Sequence, residues 1–166
     1  MTLYRSVSSS TTTGVSLGHR TLAEADHWIL GLADRPRLAC THLVPVPVRH
    51  VAISLTTSGP VPPTAPELRE AATAAADGEC GRAVVFPGVE KLIGTLTVAR
   101  IKELSAIDRV EVLGSGAAAD DAPVDTREFV RPQFRAGELV LTTTPAAGGV
   151  LVPFETSTPT PCCAGH

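Results

Sequence analysis

The sequence predicts an α+β fold: a mostly antiparallel sheet or partly closed barrel with about three helices and a β-rich C-terminal third. Two observations carry that expectation. Helical and strand patterns are segregated along the chain, running helix, two strands, helix, strand, helix, strand and then strands only. A doubly wound sheet would alternate them throughout. The composition is 43% hydrophobic but only 4% aromatic over 166 residues. A core must therefore be assembled from Val, Leu, Ile and Ala, which suits strands with helices packed on one side.

Residues 1–18 are rich in Ser and Thr, including Ser8 to Thr13. They read as a flexible arm or as an arm that pairs with a partner chain. A single α+β domain is expected over residues 19–155. It starts with a helix over Thr21 to Ala33. Thr21 is a capping residue with Glu24 three positions on, and Leu22, Ala25, Ile29 and Leu32 recur at helical spacing. Asp34-Arg35-Pro36 ends it. Leu38 to Pro47 and Val48 to Thr56 read as strands, the first broken or at an edge because Pro45 and Pro47 cannot donate to a ladder.

A Pro-rich connector, Ser58 to Pro66, leads to a helix over Pro66 to Ala76, with proline at its first position. Arg82 to Phe86 is a short apolar strand followed by a Pro87-Gly88 turn. Apolar residues recur at helical spacing from Val89 to Ala106, but Gly94, Thr95 and Thr97 confine the firm helix to Val98 to Ser105. Arg109 to Leu113 is a strand. Gly114 to Pro123 is an acidic, small-residue loop, and Arg127 to Arg131 a candidate short strand. Glu138 to Thr144 and Val150 to Phe154 pair as a hairpin around Pro145 to Gly149. Residues 156–166 form an extended Pro- and Cys-rich tail. No internal repeat is present.

The formal net charge is −3, without a basic run. Nucleic-acid binding through phosphate neutralisation would require an excess of Lys and Arg, so no nucleic-acid partner is expected. No apolar stretch reaches membrane-spanning length and no signal peptide is evident at the N-terminus. A cytoplasmic location, with reduced thiols and no membrane partner, is the expectation.

The densest cluster of ligand-type side chains is Cys162, Cys163 and His166. Thiolate and imidazole suit zinc or another transition metal. A closed zinc site takes four ligands. Cys40 and His42, two apart on a strand and hence on one face, are the next candidates. His50 and Cys80 are further options. There is no C-x-x-C pair, so the spacing matches no common zinc module. Buried structural thiols and a solvated tail are the plain alternative.

Other readings stay open. The arm, the tail and the edge-type strand would serve an assembly subunit with a protein partner, or a homo-oligomer. Whether the chain is an enzyme is left undecided. Cys80 beside Arg82 is a candidate nucleophile, with His42 or His50 as its base. Arg127 and Arg131, on one face if their segment is a strand, could grip a carboxylate or phosphate; Arg135 follows at the same interval. Asp120, Asp121, Asp125 and Glu128 read as a solvated loop because they lack the alternation of a calcium-binding loop.

Overall fold

The structure, a computed structural model, describes residues 11–45, 47–59, 63, 65–77 and 81–157. Among them are three α-helices and eleven strands, an α+β arrangement. The strands form open, mixed β-structure that does not close into a barrel. No helix among the described residues is long and apolar enough to cross a membrane. The chain divides into two compact units, Met1–Pro87 and Gly88–His166.

In the first unit, β1 (Thr11–His19), β2 (Leu38–Val44), β3 (His50–Thr57) and β4 (Gly81–Val85) lie in the order β1-β3-β2-β4, with every neighbour antiparallel. Residues 11–18 are therefore not a free arm. They form the outer strand of the chain's own sheet, pairing Thr11 with Thr57 and Val15 with Ile53. The β-branched Thr11, Thr12, Thr13 and Val15 favour extended backbone, and the burial of Val15 fixes the register. The arm's first ten residues lie outside the described residues.

The helix α1 (Leu22–Leu30) has the cap its sequence promises. Thr21 Oγ1 accepts from the Glu24 amide at 3.1 Å, and a Glu24 carboxylate oxygen accepts from the Arg20 and Thr21 amides at 2.8 and 3.4 Å. The helix stops at Gly31, earlier than Asp34-Arg35-Pro36 would require. Ala25 and Ile29 sit against one face of the sheet with Val15, Ala39, Val51, Ile53 and Leu55. Burying this aliphatic set drives the unit's assembly, at about 25 cal/mol per Å² of apolar surface.

The opposite sheet face carries α2 (Arg69–Asp77), which follows a 3-10 turn at Pro66–Leu68. Its backbone crosses directly over Gly14. A Cβ at that position would overlap the Ala72 carbonyl, so only glycine permits this approach.

The second unit holds β5 (Thr95–Thr97), α3 (Val98–Leu104), β6 (Arg109–Val112), β7 (Gly116–Ala117), β8 (Pro123–Asp125), β9 (Gln133–Arg135), β10 (Glu138–Pro145) and β11 (Leu151–Pro153). β10 is its central strand, with Leu139, Val140 and Leu141 all buried. It pairs with β9 and β11 antiparallel and with β6 parallel. β8 joins β11 in parallel and β5 joins β8 antiparallel. The sheet is thus mixed, and only part of it is the expected antiparallel arrangement. Thr97 caps α3 by accepting from the Arg100 amide at 3.2 Å. Thr95 to Thr97, where the helical pattern was weak, is strand instead.

Candidate functional site

Two places gather polar chemistry, one in each unit. In the first unit, strand alternation puts Cys40 and His42 of β2 on the face also carrying Ser54 and His50 of β3. Cys40 stands opposite Ser54, and His42 opposite Ala52. His42 Nε2 lies 2.9 Å from Ser54 Oγ, which fixes the plane of the ring. Gly81 presses on the pair. A Cβ there would stand 2.7 Å from His42 Cε1 and 3.0 Å from Cys40 Cβ.

Cys40 is only 2% exposed. Burial pushes its thiol from the ordinary 9.0 up to about 12, opposed in part by a hydrogen bond with Ser54. A thiol so placed is neutral at physiological pH and a poor nucleophile unless a cation reaches it. His50 is also buried. Its Nδ1 donates to the Val48 carbonyl at 2.7 Å, and its Nε2 has no partner among the described residues.

Among the described residues, no group of three or more His, Cys, Asp or Glu is arranged to hold a metal ion. The sequence-predicted ligands Cys162, Cys163 and His166, and the candidate nucleophile Cys80, lie outside the described residues.

In the second unit the arginines are the candidates. The segment from Arg127 to Arg131 is not a strand: Arg127 and Glu128 adopt φ of 53° and 54°, left-handed backbone that makes a turn. The Arg127 amide donates to Asp125 Oδ1 at 3.1 Å, and its guanidinium stands 3.9 Å from the same carboxylate. Strand alternation therefore cannot align Arg127 with Arg131.

Arg131 instead lies over the Phe129 ring, 4.0 Å from its centroid, and donates to the Val130 carbonyl at 3.2 Å. It lines a groove of ≈ 340 Å³ with Arg135, Gln133, Thr142, Glu155 and Phe154, over an apolar floor that includes Val140 and Leu141. Arg135 is held from two sides, by Glu111 at 2.8 Å and by the Thr142 hydroxyl at 3.1 Å. Phe154 is 60% exposed at the rim.

Arg135 was legible only as the third member of the arginine spacing. It reaches the groove because Ala136 and Gly137, with φ of 50° and 82°, close a tight hairpin from β9 into β10.

Sequence reasoning missed one buried polar group. Arg82 of β4 forms a two-pronged ion pair with Asp26 of α1, Nη1 to Oδ1 at 2.6 Å and Nη2 to Oδ2 at 2.9 Å. Its Nη1 also donates to Thr41 Oγ1 at 3.2 Å. Both side chains are about nine-tenths buried. The pair ties α1 to β4 among buried residues. No known protein family, curated protein or solved structure matches the chain.

Proposed function

We propose that the protein is a binding protein whose C-terminal unit takes a small organic anion, a carboxylate or phosphate attached to an apolar body. One observation carries this reading: two guanidinium groups, Arg131 and Arg135, line a single groove with an apolar floor and an exposed Phe154 at its rim. Guanidinium matches the two oxygens of such anions, and ring and floor suit the apolar part. Stacking on Phe129 and the bonds from Glu111 and Thr142 hold the two cations in set orientations, so little side-chain freedom is lost on binding.

Calorimetric titration with phenyl phosphate and with benzoate tests it. Saturable binding, weakened about tenfold or more in Arg131→Ala and in Arg135→Ala with the fold intact, is the expected result. Heats of dilution alone, or equal affinity in both variants, would refute it.

A transition-metal site is the second reading, favoured by the placement of Cys40 and His42 on one sheet face beside Ser54. Zinc would supply the charge that Cys40 needs to ionise, and Ser54 would orient the imidazole. Metal content of protein purified without chelator tests this reading. The wild type is compared with Cys40→Ala/His42→Ala and, separately, with Cys162→Ser/Cys163→Ser/His166→Ala. Near-stoichiometric metal lost in either variant supports the reading for that residue set, and none in wild type ends it.

A further inference from the structure

We propose that the outer edge of β1 is a strand-addition site for an extended peptide segment bearing an acidic side chain. β1 is the end strand of its unit's order and, among the described residues, pairs only with β3. The backbone groups on its other side thus form a row of donors and acceptors suited to a further strand.

Natural sheets guard such edges with Lys, Pro or inward-pointing charges. Thr11 to Val15 contains none of these and runs in regular register, and the irregularity of β1 comes only between Val15 and His19. This stretch, free of guarding side chains but crossed by α2 at Gly14, borders a groove. Thr12, Thr13 and Gly14, three consecutive residues facing alternately up and down, line one cavity of ≈ 470 Å³ with Arg69, Ala72 and Thr73 of α2 and with Pro63. The opposing wall is a helix, so an added strand would lay alternate side chains against Ala72 and Pro63.

Charge selects the occupant. Among the described residues Arg69 is the only charged residue lining the groove; it is exposed and has no carboxylate partner among them. An acidic side chain one or two positions along an added strand would meet it. A second copy of β1 would bring no acid, since Thr11 to His19 has no Asp or Glu. A foreign acidic segment therefore fits better than self-pairing.

The test uses the full chain and two fluorescein-labelled, end-blocked peptides, Thr-Val-Glu-Val-Thr-Val and its Lys counterpart, followed by fluorescence polarisation at low salt. The Glu peptide should bind saturably and the Lys peptide about fivefold more weakly, the scale of one exposed ion pair. Arg69→Glu should invert that order without changing the melting temperature. Saturation with the Glu peptide should slow amide exchange within Thr11 to Val15. No saturable binding by either peptide, equal affinity for both, or an order unchanged by Arg69→Glu would overturn the proposal. So would protection of Thr11 to Val15 that appears with protein concentration alone, alongside a dimer in light scattering, because a second copy would then hold the edge.

Discussion

Asp26→Ala should be among the most damaging single substitutions in the first unit. The change leaves Arg82, about 8% exposed, without the two carboxylate oxygens that hold it at 2.6 and 2.9 Å. Removing one partner of a buried ion pair costs about 3–5 kcal/mol. At an m-value of ~2 kcal/mol/M, the urea midpoint should fall by roughly 2 M. The assay is direct because Trp28, the only tryptophan, sits two residues along the same helix and its fluorescence reports loss of α1 packing.

The double variant Asp26→Leu/Arg82→Met removes both charges. It should recover to within about 1–2 kcal/mol of wild type, since a buried pair replaced by apolar groups of similar volume is often near neutral. A loss below about 1 kcal/mol in Asp26→Ala, or a double variant no better than the single one, would refute the reasoning. The first result would mean that Arg82 is adequately solvated without Asp26. The second would mean that the pair is required for the fold itself.

Three further outcomes follow from close contacts and burial. Gly14→Ala should lower the urea midpoint by the equivalent of about 1–3 kcal/mol in the same Trp28 assay, because its methyl group meets the Ala72 carbonyl. Gly88→Ala adds a side chain at φ 85° against the Leu104 carbonyl; it should cost at least about 2 kcal/mol, read by far-ultraviolet circular dichroism since Trp28 lies in the other unit. Cys40 holds its proton more tightly folded, near 12, than unfolded, near 9.0. The stability of wild type relative to Cys40→Ala should therefore be constant below pH 9 and decline as pH rises toward 12, with a slope approaching 1.4 kcal/mol per pH unit. A flat difference across that window would mean that Cys40 is not sealed from water.

Sequence patterns located α1, β2, β3, α3 and the β10–β11 hairpin, each of which carries a local signal. Thr21 with Glu24 marks a capping box, and runs such as Val51-Ala52-Ile53-Ser54-Leu55 mark strands. What stayed hidden depended on distant partners or on unusual backbone. β9 was missed because its turn is Ala136-Gly137, and alanine seldom takes a left-handed conformation. The Arg127 to Arg131 segment looked extended, yet Asp125 accepts from the Arg127 amide and bends it into a turn. The Asp26–Arg82 pair joins residues 56 apart in sequence, and nothing near Asp26 marks it as buried except its place between Leu22 and Ile29 on the helix. The groove was half legible: Arg131 could be named from spacing, but its companion Arg135 arrives only through the β9–β10 hairpin. The boundary of the two compact units at Pro87 has no counterpart in chain length, which alone fits one domain.

The strand order β1-β3-β2-β4 has a consequence for synthesis. β1 leaves the ribosome before its ladder partner β3, which is completed only at Thr57, after α1 and β2 have emerged. The β2–β3 hairpin can close on its own soon after translation, whereas Thr11 to His19 must wait as an uncharged, β-prone segment. The element that clamps it, α2 over Gly14, arrives later still. During that interval β1 is a segment open to mispairing, and one that a chaperone would gain by covering.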